Sequence, residues 1–172
     1  MSRRNWLRIA IVASVALVLG VSLKAVLDRE AVLAQGRAVL LELAPVDPRS
    51  LMQGDYMALS FAVDREVMDQ WDERRARDLP PAAYALLALD ADGRGQLAGV
   101  SDVLPADGTV AMRIRWREGG PTVGPNAFFF QEGTAETYEA ARWGEFRVAA
   151  DGSALLTHLR DEALQRLGEQ RR

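Results

Sequence analysis

Pro45-Val46-Asp47-Pro48-Arg49-Ser50-Leu51-Met52-Gln53-Gly54-Asp55-Tyr56-Met57-Ala58-Leu59-Ser60-Phe61 reads as a turn, a second turn and the start of a strand. Asp47-Pro48-Arg49-Ser50 is turn chemistry: proline presets φ near −65°, and the aspartate oxygen can accept from nearby backbone amides. A strand therefore ends near Leu43. Gly54-Asp55 supplies a position free to take positive φ, and a period of two follows. Met57, Leu59 and Phe61 fall on one face, expected to be the core, with Tyr56, Ala58 and Ser60 opposite. Tyr56 on that other face can cover apolar surface and still reach a polar partner.

Around this stretch the pattern predicts one α+β domain, mainly antiparallel, with one or two helices. Ala38 to Leu43 and Asp55 to Phe61 read as strands. Val63, Val67 and Trp71 stand four apart in a helix predicted over 63–79, with Asp64 and Glu66 early and Arg74, Arg75 and Arg77 late, as the helix dipole favours. Pro80-Pro81 stops it. Tyr84 to Leu89 and Gln96 to Val103 read as a hairpin around Asp90-Ala91-Asp92-Gly93-Arg94-Gly95. Thr109 to Trp116 reads as one half-buried strand with Arg113, Arg115 and Arg117 on its outer face, broken by Gly119-Gly120-Pro121. Phe128-Phe129-Phe130 is strand-like, Thr134 to Arg142 a short helix, and Phe146 to Ala149 with Ala154 to Leu159 a last hairpin around Asp151-Gly152. The tail 161–172 is polar, helical or frayed.

Arg3, Arg4 and Arg8 precede fifteen uncharged, mostly apolar residues from Ile9 to Leu23, closed by Lys24. A helix needs about 20 residues to cross about 30 Å of hydrocarbon, and residues 6–27 reach that length if Arg8 and Lys24 snorkel to the interfaces. A cleaved signal peptide shares the basic front and apolar middle, but no small-x-small site follows the run and the helical pattern continues toward Gln35. The expectation is a transmembrane helix acting as signal anchor, with residues 1–36 as anchor and juxtamembrane helix, 37–160 as the soluble domain and 161–172 as the tail. The arginines ahead of the span, against Lys24, Asp28, Arg29 and Glu30 after it, put the N-terminus in the cytoplasm and the domain outside, periplasmic at a bacterial inner membrane.

All 24 acidic residues lie beyond the span, with 17 of the 21 basic ones once Arg3, Arg4, Arg8 and Lys24 are set aside, a net −7. That charge argues against nucleic acid or an anionic lipid surface as a bulk electrostatic partner. With no cysteine there is neither a disulfide framework nor a thiolate metal site. His158 is the sole histidine and Lys24, at the membrane boundary, the sole lysine, which removes multi-histidine zinc sites and a Ser-Lys dyad within the domain. Asp90-x-Asp92-Gly93 starts like a calcium loop, yet Ser101 stands where the twelfth-position Glu belongs, and a hairpin turn explains it. No cofactor, metal or catalytic residue is assigned. A carboxylate and guanidinium set remains: Asp47, Arg49, Asp55, Glu132, Glu136, Arg142, Glu145 and Arg147. It serves structural ion pairs and turn or cap bonds by Asp47, Asp55 and Thr134, or a ligand, or acid–base chemistry if the fold sets two carboxylates about 5–10 Å apart. Alternate residues of Phe128-Phe129-Phe130 must face opposite ways. The run is either buried under the 134–142 helix or in part a docking surface for a membrane-embedded partner.

Gly54, Asp55, Tyr56 and Leu59 resemble the family named for its G-D-Y-x-x-L-x-Y motif, with Phe61 where the last Tyr would stand. The resemblance extends to the N-terminal membrane segment, the D-P-R turn, Phe130-Gln131-Glu132-Gly133 and the run from Arg142 to Val148. Members of that family have no assigned activity; the resemblance implies a partner of a polytopic integral membrane protein. It makes Arg49, Gly54, Asp55, Tyr56, Glu132, Gly133 and Arg142 the candidates for ligand or partner binding. Two functions follow: an accessory, protein-binding subunit of the bacterial envelope, or an envelope hydrolase or small-ligand sensor using Asp55, Glu132 and Arg49.

Overall fold

The computed structural model describes residues 3–44, 52–53, 56–117 and 119–168. Helix α1 spans Arg3–Gln35, 33 residues and roughly 50 Å at 1.5 Å per residue. Within Ile11–Gln35 an 18-residue window has a mean hydropathy of 2.0 and none of it is buried, the length and composition of a membrane span. An exposed i,i+4 pair joins Lys24 and Asp28 at 2.7 Å. The helix ends at Gly36, whose amide donates to the Val32 carbonyl at 2.8 Å; a Cβ there would collide with that oxygen. Strand β1 (Arg37–Glu42) begins at the next residue. The guanidinium of Arg147 donates to the Gly36 carbonyl at 3.3 Å, so the connection is held from the domain side too.

The domain is α+β and antiparallel throughout its named sheets. The four-stranded sheet runs β1, β10 (Trp143–Val148), β11 (Ala154–Arg160), β12 (Arg166–Leu167). A three-stranded sheet holds β2 (Met52–Gln53), β3 (Tyr56–Ala58) and β9 (Ala127–Phe129); a second orders β5 (Gly95–Ser101), β4 (Tyr84–Leu89) and β6 (Val110–Arg113). The pair β7 (Arg115–Arg117) and β8 (Gly120–Thr122) closes the set, with α2 (Ala62–Ala76) and the short α3 (Ala135–Tyr138) packed against the strands.

Most predicted elements are present, with four corrections. Gly119-Gly120-Pro121 does not break the chain out of the sheet. Gly120, at φ +109°, turns it back, so that Arg117 pairs with Gly120 and Trp116 with Pro121. The strand predicted over 109–116 is interrupted at Ile114, whose amide leaves the ladder to donate to the Ala83 carbonyl at 2.9 Å while its side chain stays buried. The tail is neither helical nor frayed where described: Arg166 and Leu167 pair with Arg160 and Leu159. The 134–142 helix shrinks to one turn, and the Thr134 hydroxyl bonds back to the Gln131 carbonyl at 2.6 Å rather than capping it.

Met57, Leu59 and Phe61 are 3%, 7% and 1% exposed, so the period-two reading of the signature strand holds. They meet Val39, Leu41, Phe146 and Leu159 of the four-stranded sheet, Val63 and Val67 of α2, and Ala85, Leu87 and Met112 of the β5-β4-β6 sheet in one core. Phe61 lies edge-on to Phe146 at 5.2 Å, and Gly144 leaves room for its ring: a Cβ there would sit 2.9 Å from Phe61 Cε1.

Replacing this ring should cost far more than replacing an exposed one. Phe61→Ala is expected to lose about 3–5 kcal/mol of unfolding free energy, and Phe129→Ala less than about 1. Denaturant unfolding of the full chain in detergent, followed by tryptophan fluorescence, checks this; comparable losses would show that Phe61 is not the keystone of the core.

Candidate functional site

The signature strand is sorted by its register. Met57 stands opposite Phe128 and Tyr56 opposite Phe129. The first pair faces the interior, where Phe128 meets the buried Tyr138 of α3 at 5.2 Å; Phe130 stacks on that same ring at 5.2 Å. The second pair faces outward: the Tyr56 and Phe129 rings lie 5.8 Å apart, and Phe129 is 75% exposed, the most of any large apolar side chain among the described residues. The three phenylalanines thus divide, two under α3 and one on the surface beside the signature tyrosine.

The other candidate residues fall around this face unevenly. Glu132 and Gly133, both exposed, form the turn directly after β9, where Gly133 takes φ +80° and the Thr134 amide donates to the Gln131 carbonyl. Arg142 immediately precedes β10, an inner strand of the four-stranded sheet. Its amide donates to the Arg160 carbonyl, its carbonyl accepts from Leu43, and its guanidinium bonds the Ala141 carbonyl at 3.0 Å. No hydrogen bond or ion pair joins Glu132 to Arg142 among the described residues. Arg49, Gly54 and Asp55, like Asp47, lie outside the described residues.

Two carboxylates, one partly buried and one fully buried, hold the frame of the site. Asp64, in the first turn of α2, accepts from the Phe61 amide at 3.2 Å and the Val123 amide at 2.9 Å. Phe61 has no side-chain acceptor to return the bond, so only one arm of a capping box exists, and it ties the helix start to the chain after β8. Burial pushes the Asp64 carboxyl above its ordinary value, against the pull of these amides and of Thr122.

Glu145 is the second. It is 2% exposed, lies across from Leu40 and His158, and is the only buried charged residue among those described. Arg160 Nε donates to Oε2 at 2.8 Å, and Arg166 spans the carboxylate with Nε to Oε2 at 3.0 Å and Nη2 to Oε1 at 2.9 Å. Arg160 also donates to the Leu164 carbonyl, which fixes the turn that delivers Arg166. Burial pushes the Glu145 carboxyl up, but the hydrogen bonds and charges of Arg166 and Arg160 outweigh it and hold the pKa below the ordinary value. His158 Nδ1 is buried without a hydrogen-bond partner, 3.7 Å from Glu145 Oε2. Burial, then the Arg166 charge, lowers its pKa, with Glu145 opposing and Arg160 and Arg147 adding. A carboxylate saturated by two guanidinium groups is a poor proton acceptor, so this cluster is a latch on the C-terminal strand rather than acid–base machinery. Glu145 is one of several charges in the sequence, and Arg160 and Arg166 carry no local signal, because their partner is reached only through strand pairing and a turn.

A family model described as GDYXXLXY protein matches residues 18–159. No curated protein and no solved structure matches the chain.

Asp64, Glu145 and His158 contribute to the pH dependence of stability, alongside the exposed Asp107 and Asp151, whose carboxyls are lowered chiefly by hydrogen bonds from Thr109 and Ser153. Glu145 and His158 have lowered folded values, so the unfolded chain binds more protons: their contributions are complete above the ordinary values of 4.5 and 6.5 and are lost as pH falls through the folded ones. Asp64 has the opposite sign, its contribution present below 3.8 and lost as pH rises through its raised folded value. Unfolding measured from pH 8 downward should therefore show stability falling first below about 6.5 from His158, a limb absent in His158→Gln. Glu145→Gln should lose about 3 kcal/mol at neutral pH, the lower end for a broken buried pair because Arg166 is 48% exposed, and should flatten the acid limb.

Proposed function

The chain belongs to the GDYXXLXY family, and from that premise we propose that it is a membrane-anchored accessory subunit of the bacterial envelope that docks on a polytopic integral membrane protein. Helix α1 is its single anchor in the cytoplasmic membrane. Its arginine-rich start lies in the cytoplasm and the domain on the periplasmic side, following the positive-inside bias of Arg3, Arg4 and Arg8. The observation that carries the docking role is the outward Tyr56–Phe129 pair. Phe129, a large aromatic exposed on β9 beside the half-exposed Tyr56 of the family's signature strand, in a domain whose core closes without it, has the composition of an interface anchor. Glu132 and Gly133 flank this face, and Arg49, Gly54 and Asp55 belong to the same motif. The domain's net −7 favours a protein partner over an anionic lipid surface.

The test is gentle detergent extraction of the tagged protein at native level, with mass spectrometry of what co-purifies, for the wild type, Phe129→Asp and Asp55→Ala. A stoichiometric polytopic protein is expected with the wild type and is expected to be lost with Phe129→Asp, whose unfolding transition should match the parent's. A partner-free wild type, or a partner retained by both variants, would overturn the assignment.

A further inference from the structure

A cleft of about 190 Å³ opens between the start of α2, the end of β1 and the β4–β5 turn. It lies away from the Tyr56–Phe129 face and uses none of the signature residues. Its floor and walls include Leu41 and Val63 from the core side, Trp143, and the charged groups Glu42, Glu66 and Arg94. Glu42 and Trp143 are register partners on β1 and β10, and the turn is drawn onto β1 by the Leu40 amide, which donates to the Gly93 carbonyl at 2.9 Å.

Arg94 is held in place without being satisfied. Its guanidinium lies 5.3 Å over the Trp143 ring, a stacking that fixes the plane of the fork. Its Nε is buried with no hydrogen-bond partner, and Asp92 forms an ion pair with Nη2 at 3.6 Å, too long for a hydrogen bond and with both side chains solvent-exposed. Asp90, also in the wall, has its Oδ1 committed to the amides of Asp92 and Arg94 at 2.9 and 2.8 Å. The side chains of Glu42 and Glu66 make no hydrogen bond or ion pair among the described residues. The cleft therefore offers a ring-stacked guanidinium whose one charged partner is a long, exposed ion pair, two carboxylates with open acceptors and a short apolar wall.

We propose that this cleft binds a small zwitterion of the free amino-acid class, with its carboxylate on Arg94, its ammonium at Glu42 and Glu66, and its side chain against Leu41 and Val63. A simple anion would face the carboxylates, and a simple cation would face Arg94; only a molecule carrying both charges a few ångströms apart meets each wall with its complement. A cleft of about 190 Å³ has room for a ligand of the size of a single amino acid.

The experiment is titration of the full chain in detergent with each of the twenty common amino acids, read by tryptophan fluorescence and by the unfolding temperature. The best binder is then compared with its decarboxylated amine and its deaminated acid. The expected result is a saturable response to at least one amino acid, none to either half-molecule at the same concentrations, and about tenfold weaker binding in Arg94→Gln and Glu66→Gln. Glu66 is exposed on α2, so Glu66→Gln should unfold at the parental temperature and separates ligand loss from misfolding. No saturable response to any amino acid overturns the proposal, as does an amine that binds wild type and Arg94→Gln alike, or an acid that binds wild type and Glu66→Gln alike. The docking role is read by co-purification and can fail independently.

Discussion

The contact between Phe61 and Phe146 is the constraint on which the other elements depend. Phe61 closes the signature stretch, precedes the first turn of α2, and bridges to Leu43 at the end of β1. Its ring is received between Gly124 and Gly144, each too close to accept a side-chain carbon without displacement. One side chain thus fixes the exit of the signature strand, the start of the helix and the inner face of the four-stranded sheet. The family motif places a tyrosine where this phenylalanine stands. At 1% exposure a phenyl ring needs no polar partner, whereas a hydroxyl would.

Polar groups inside this frame are spent on holding chain segments rather than on chemistry. Asp64 converts its burial into a tie between α2 and the residues after β8. Glu145 gathers Arg160 and Arg166 and so draws the chain after β11 back as a further strand, while Gly168 abuts the hydroxyl of Tyr138 beneath the aromatic run. The ring that supports Phe128 and Phe130 is therefore braced from the far end of the chain. Phe129, between them in sequence, is left on the surface by strand alternation alone.

The join between anchor and domain is short and stiff. One residue, Gly36, separates α1 from β1, and its carbonyl is held by Arg147 of the central strand pair. A domain attached in this way keeps a set orientation to its helix, unlike one on a flexible linker. That would suit the docking role proposed above.

The sequence by itself determined the elements whose causes are local: the apolar N-terminal helix, the inward set Met57, Leu59 and Phe61, the stop of α2 before Pro80-Pro81, and the β4–β5 hairpin. Each follows from a period, a proline or a turn aspartate within a few residues. It also required that the phenylalanine run split between two faces, without saying which ring goes where. Only the tertiary structure decided which phenylalanine stays exposed, that Gly120-Pro121 returns as a strand, and that the polar tail pairs with β11. The same is true of the Glu145 latch, with Arg166 lying 21 residues on, and of the cleft that brings Glu42, Glu66, Arg94 and Trp143 together. Those features depend on pairing between distant strands, where partner and register are set by the summed packing of the core, and no local pattern carries that information.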